Sequence, residues 1–360
     1  VRLKDIIAPI KEDLEAFEKE FKAILKSDIF LIDKVVHYLI SHRGKRLRPV
    51  LVLLVSRLRP LAVQAANAFS AATPDRKNDP VNVANTQFPL PPNGSDDKRL
   101  KAAAILELLH TATLVHDDVV DDSYRRRGFP TINSIWKNKI SVLMGDYLFS
   151  KSLLAMLHLG DLKTFSIISR TAERMSQGEL LQVERSRDYW MEEEIYFRLI
   201  ADKTAALLAA SCQLGALAGG QSDAEIERFG EFGEKVGIAF QIRDDILDLL
   251  GEESHTGKPI GNDIRENKIT LPLLHALKQA ERREAKAIIR LVQKNSGWRS
   301  RQSDYRDIVN FIERHGGVTY AMQTANRFTE EAVAVLDAYQ DSPFKISLVN
   351  LVRFITSREH

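Results

Sequence analysis

Among its 360 residues the sequence has one cysteine, Cys212, which excludes an internal disulfide and fits a reducing, cytoplasmic compartment. Net charge is equally sparse: 51 Lys and Arg against 49 Asp and Glu leave +2, too little for the basic footprint of a nucleic-acid binder. No linker divides the chain into compositionally different halves, so residues 1–360 read as one large domain, and 44% hydrophobic residues suffice for its core. No basic leader followed by an apolar core opens the sequence; secretion is not expected, although a removed organelle transit peptide would leave no trace. One uncharged run, Thr204 to Ser222, approaches the length of a membrane span. Gln213, Ser211 and the Gly219-Gly220 pair dilute it, and a helix buried in a large bundle gives the same pattern, so no transmembrane segment is expected. Cys212 lies inside that run and reads as a buried structural thiol.

What the chain does have is acid where acid is unfavourable. Residues 105–128, ILELLHTATLVHDDVVDDSYRRRG, carry an apolar helical pattern into four aspartates and then three arginines. Asp117 and Asp121 have i,i+4 spacing, about 40° apart on one helix face. Like charges so placed cost roughly 0.2–0.5 kcal/mol a pair, and the negative pole of the macrodipole adds roughly 0.3–1 kcal/mol for each acid. A hard divalent cation would offset both, since Mg²⁺ takes one or two carboxylates and fills its other positions with water and substrate phosphate. Residues 240–248, FQIRDDILD, repeat the spacing as Asp244 and Asp248 near the end of a second apolar helix that Gly251 caps. Two such ends facing one cavity could join metal ions to a polyanion.

Basic residues complement the acids. The turn His42-Arg43-Gly44-Lys45-Arg46-Leu47-Arg48 precedes an apolar helix with Pro49 at its first position, and a bound anion would relieve cations held at that positive helix end. His110 lies seven residues before Asp117, on nearly the same face. Lys203-Thr204 opens a later helix, and Gln241 sits one turn before Asp245. The stretch GEESHTGKPIGNDIRENKITLPLL reads as a mobile lid whose Lys258 and Lys268 could close over a bound anion and exclude water.

In this order, Gly44-Lys45 to Arg48-Pro49, Asp117 to Asp121, Arg126-Arg127-Gly128, Lys203-Thr204, Phe240 to Asp248 and Gly257-Lys258 to Lys268 resemble the motifs of the all-trans polyprenyl diphosphate synthases. The likeness covers nearly the whole chain and implies an all-α fold, a large single-domain helical bundle of the isoprenoid synthase type with a central active-site cavity. It further implies condensation of isopentenyl diphosphate with an allylic prenyl diphosphate, with Mg²⁺, about three ions to a site, held by Asp117, Asp121 and Asp244. Asp118, Asp245 and Asp248 then support those ligands. By the same resemblance Lys45, Arg48, His110 and Arg127 bind isopentenyl diphosphate, Arg126, Lys203 and Thr204 the allylic diphosphate, with Gln241, Lys258 and Lys268 also at the substrate. Family members are commonly homodimers.

Residues 60–97 depart from the family pattern: this Pro- and Asn-rich stretch reads as a loop insertion. Elsewhere helical periodicity runs over 6–25, 31–42, from Asp97, and over 139–158, 161–187, 191–201, 203–219, 223–250, 271–295, 303–314, 317–341 and 345–357. Ala112 and Thr113 lie just below the first acids, with Leu109 and Leu106 about 12 and 16 Å below Asp117. In the family, aromatic residues at the first two places stop short products; neither is aromatic here, so a long-chain product is expected, with farnesyl or geranylgeranyl length as the alternative. A terpene cyclase would carry an Asn/Ser/Glu second motif in place of FQIRDDILD, and a calcium-binding loop would alternate its ligands around a glycine. A non-catalytic subunit of a heteromeric synthase would keep the bundle and lose the diphosphate and metal residues.

Overall fold

The protein is described here by a computed structural model covering residues 2–42, 44–61, 94–126, 128–250, 261–294 and 302–356. The helices are α1 (Leu3–Ile6), α2 (Lys11–Leu25), α3 (Phe30–Ser41), α4 (Leu47–Ser56), α5 (Gly94–Val120), α6 (Ile132–Leu159), α7 (Leu162–Glu184) and α8 (Glu193–Ile200). A π-helical turn, Ala201–Ala205, joins α8 to α9 (Ala206–Ala218). The chain continues as α10 (Asp223–Leu250), α11 (Asn262–Arg265), α12 (Leu271–Gln279), α13 (Arg282–Lys294), α14 (Gln302–Arg314), α15 (Gly317–Val335) and α16 (Pro343–Thr356). Short 3₁₀ turns follow α1 and α15.

Helix α9 is the axis of this all-α bundle: it packs against α10, α4, α5 and α7, and Ala206–Cys212 and Leu214–Ala216 are all buried. Small residues let its neighbours close in; a Cβ on Gly215 would stand 2.6 Å from the Val52 carbonyl oxygen of α4. The uncharged run at 204–222 is therefore a core helix. Burial pushes the Cys212 thiol pKa up, which leaves it protonated and inert. Among the described residues α6 alone is long and apolar enough to cross a membrane by length and composition. One side of α6 packs on α5, while Leu143, Leu154 and Leu157 stand exposed on the other.

Local departures have local causes. Pro49 takes the third helical position, not the first, because Arg46, at φ 54°, turns the chain into α4 at Leu47. Its missing N–H is still one the helix would leave unpaired. Helix α6 starts at Ile132 rather than near 139, with a kink at Lys137, where φ is 71°. The pattern over 271–295 is two helices, since Ala280 is extended at ψ 155°. Arg125-Arg126 pairs antiparallel with Phe129-Pro130 around Gly128, at φ 81°, which makes a two-residue ladder of the expected turn. Of the stretch at 60–97, positions 62–93 lie outside the described residues, as does Gly251, the expected cap of α10. The near end is anchored, the Gln340 amide donating to the Arg59 carbonyl at 2.9 Å.

Candidate active site

The last turns of α5 deliver the first acids. Asp118 is buried and accepts from Arg126 Nε at 2.8 Å, while the Asn133 amide donates to its backbone carbonyl at 3.1 Å, so the strand arginine is tied to the helix end. Asp117 is half-buried, and its pKa is pushed up to about 6 by burial and by the carboxylates of Glu179 and Asp121, against the pull of Lys203 and Arg126. Asp121 stands exposed on the wall of a cleft of about 470 Å³.

Lys203 and Thr204 reach the same cleft from the π turn, the kind of register shift that recurs at functional sites. Lys203 Nζ donates to Glu179 Oε2 at 2.8 Å and Gln182 Oε1 at 3.0 Å. Thr204 Oγ1 donates to Gln241 Oε1 at 2.8 Å, and Gln241 Nε2 to Asp245 Oδ1 at 2.8 Å. The Tyr196 hydroxyl occupies the other oxygen of Asp245 at 2.7 Å. Burial pushes the Asp245 pKa up to about 7, with Asp244 and Asp248 adding to the shift. Helical period places Asp245, not Asp244, on the cleft wall with Gln241; Asp244 is exposed, and Asp248 accepts from the Asp263 amide at 2.9 Å.

Lys268 also lines the cleft. Burial disfavours its charge, yet the carboxylates of Glu266, Asp263 and Asp121 outweigh burial and push its pKa up. The described end of the expected lid is anchored: α11 receives Asp248 at its first turn, and the Tyr189 hydroxyl donates to Asn267 Oδ1 at 3.2 Å. Lys258 and Arg127 lie outside the described residues.

Arg48 and His110 form a second group, Arg48 Nη1 donating to His110 Nε2 at 2.9 Å, which leaves the proton of the ring on Nδ1. Lys45 is exposed, its Nζ 5.0 Å from the centroid of the Phe354 ring. Arg46, by contrast, is a core cation, paired with Glu107 at 2.5 Å and stacked over Phe21. Below the acids, Ala112, Leu109 and Leu106 are buried among Leu148, Met156, Leu207 and Leu214, so the expected descent of a product chain is filled with side chains.

Sequence reading passed over Glu179, Gln182, Tyr196 and Asp263. A signal for two of them was present: Gly178-Glu179 and Gln182 lie on one stretch of α7, and a Cβ on Gly178 would stand 2.6 Å from the Lys203 amide nitrogen.

Among the described residues no three Asp, Glu, His or Cys side chains are grouped to hold an ion by themselves. Oxygen-only donors spread around a cleft suit Mg²⁺, which completes its shell from water and phosphate. The raised pKa of Asp117 fits the same ion, since a cation would relieve the crowded negative charge. A carboxyl whose folded pKa exceeds its unfolded value loses stability as pH rises from the usual 3.8 to about 6, and the penalty is complete above that interval. The stabilisation conferred by added Mg²⁺, read as the gain in Tm, is thus expected to be larger at pH 8 than at pH 5, with apparent affinity falling about tenfold per pH unit below the Asp117 pKa. Equal gains at both values would contradict this.

Comparison with known proteins agrees with the geometry. The sequence model of the polyprenyl synthetase family matches residues 30–310. The heptaprenyl diphosphate synthase component 2 of Geobacillus stearothermophilus is 32% identical over 361 residues, covering 100% of both chains. The octaprenyl diphosphate synthase of Escherichia coli K12 is 31% identical over 335 residues, 93% of this chain and 92% of that one. Among solved structures, a polyprenyl synthase from Caulobacter crescentus CB15 complexed with calcium and isoprenyl diphosphate superposes with a TM-score of 0.82 at 30% identity, covering 99% of this chain and 98% of the other.

Proposed function

Because this chain belongs to the polyprenyl synthetase family and is a prenyltransferase with the all-α isoprenoid synthase fold, we propose that it condenses isopentenyl diphosphate with an allylic diphosphate into a long all-trans polyprenyl diphosphate. One observation carries the reading: Asp121, Lys203, Thr204, Gln241, Asp245 and Lys268, far apart in sequence, line one cleft. Asp117 and Asp121 would hold Mg²⁺ from the first helix end and Asp244, exposed beside Asp245 of the cleft wall, from the second, and bound there the ion would supply positive charge to diphosphate oxygens.

The remaining work falls to the chain. Lys203 and Thr204 orient the allylic diphosphate, and Lys268 adds a second cation on the cleft wall. Arg48 and His110, already paired, hold the diphosphate of isopentenyl diphosphate. When the allylic carbon–oxygen bond breaks, its electron pair leaves with the pyrophosphate, and the lysines stabilise that charge. The double bond of isopentenyl diphosphate then attacks the allylic carbon, and the proton lost passes to the pyrophosphate. No side-chain nucleophile is required; orientation and electrostatics suffice.

The names of the relatives, heptaprenyl and octaprenyl synthases, and the small side chain of Ala112 support a long product. The exposed apolar face of α6 we assign to a second copy of the chain, since Asp146 and Lys151 interrupt it as they would not a lipid-facing span. A second reading, one subunit of a two-component synthase, is favoured by the name of the Geobacillus relative. Incubating the purified chain alone with labelled isopentenyl diphosphate, each allylic primer and Mg²⁺ separates the readings. Products longer than geranylgeranyl are expected. Incorporation only after a second protein is added would favour the two-component reading, and a farnesyl or geranylgeranyl end product the short-chain one.

A further inference from the structure

The turn that presents Lys203 and Thr204 is held from behind. Ala201–Ala205 bonds in i to i+5 register, a widened turn seldom seen except as a single insertion within a helix. Two helices brace it, each through residues about one turn apart. On α7, Arg174 Nε donates to Asp202 Oδ1 at 2.7 Å, Gly178 lets the Lys203 backbone approach, and Gln182 accepts from Lys203 Nζ at 3.0 Å. On α10, Glu234 Oε2 accepts from Arg174 Nη1 at 2.9 Å, and Gln241 accepts from Thr204 Oγ1 at 2.8 Å. Between them Gly237 sits where a Cβ would stand 2.4 Å from Ala205 Cα. Both flanks repeat one order: a charged residue, a glycine at the contact, then an amide in the cleft. Arg174 joins the two flanks, its guanidinium forked between Asp202 of the turn and Glu234 of α10.

We propose that Arg174 is a positioning residue: by bridging Asp202 and Glu234 it clamps the π turn between α7 and α10 and so sets how Lys203 and Thr204 meet the allylic diphosphate. The inference rests on the reading that those two residues take that diphosphate. Arginine suits the task because its planar fork reaches two carboxylates at once, which a lysine ammonium does less well. Arg174 and Glu234 are each partly exposed, so that arm adds little to stability; Asp202 is largely buried, and the arm to it fixes the register of the turn.

Steady-state kinetics of the full chain with Mg²⁺, varying each substrate in turn, test the clamp. Arg174→Gln is expected to raise the KM for the allylic diphosphate about tenfold, the size of one charge-assisted hydrogen bond. The KM for isopentenyl diphosphate stays within about twofold, and Arg174→Lys gives an intermediate value. Glu234→Gln, which removes one arm only, carries the same comparison if Arg174→Gln does not fold. Lys203→Ala run alongside separates the two layers of argument. If it raises the allylic KM while Arg174→Gln and Glu234→Gln do not, the clamp is overturned and the substrate reading stands. Equal rises in both KM values with a lowered Tm also overturn the clamp, since a purely structural residue behaves so. An unchanged allylic KM in Lys203→Ala overturns the substrate reading and the clamp with it.

Discussion

Asp117→Asn is expected to lower kcat about a thousandfold, the upper range for losing one preorganised charge in a water-poor site, while leaving Tm unchanged or higher. The two effects have one cause. Burial, Glu179 and Asp121 together push the Asp117 pKa up to about 6, so its ionised form is under electrostatic stress that an amide does not share. The amide is a poorer ligand for a hard cation, and the arrangement unfavourable in the empty fold is the one that binds it. Thermal unfolding and single-turnover product formation, measured on one preparation, decide the matter. A variant that keeps wild-type turnover would show that the first acid cluster does not hold the metal. A large fall in Tm would show that Asp117 is structural.

Ala112→Phe is expected to shorten the product by several isoprene units. Ala112 is 2% exposed and shares a core cluster with Leu106, Leu109, Leu148 and Leu207, directly beneath the acids that position the diphosphate. A chain growing downward must open that cluster, and each five-carbon unit displaces side chains further along α5. A phenyl ring at 112 fills the first of that space. Overpacking costs typically about 1–3 kcal/mol, so a lower Tm accompanies the change, but chain length on chromatography of the dephosphorylated products is independent of stability. The same product distribution in variant and parent would refute the ruler.

The two acid pairs were legible because their meaning is local: Asp117 and Asp121, like Asp244 and Asp248, repel at i,i+4 wherever the helix goes. Lys203-Thr204 was legible as a pair at a helix boundary, and the boundary proved to be a π turn. Tyr196 was not legible, since it matters only through its contact with Asp245, a residue distant in sequence. Arg46 shows the converse. In sequence it belongs to the same basic turn as Lys45 and Arg48, but in the fold it is paired with Glu107, 61 residues later in a helix it could not announce.

Composition and spacing alone determined the helical class of this protein, its two acidic helix ends and the basic residues set to meet an anion, because charge repulsion and helix period act over a few residues. Which acid faces inward, which arginine is buried and which glycine admits a neighbouring backbone were decided only in three dimensions. Those outcomes depend on how closely α7, α9 and α10 approach one another, and no short stretch of chain contains that distance.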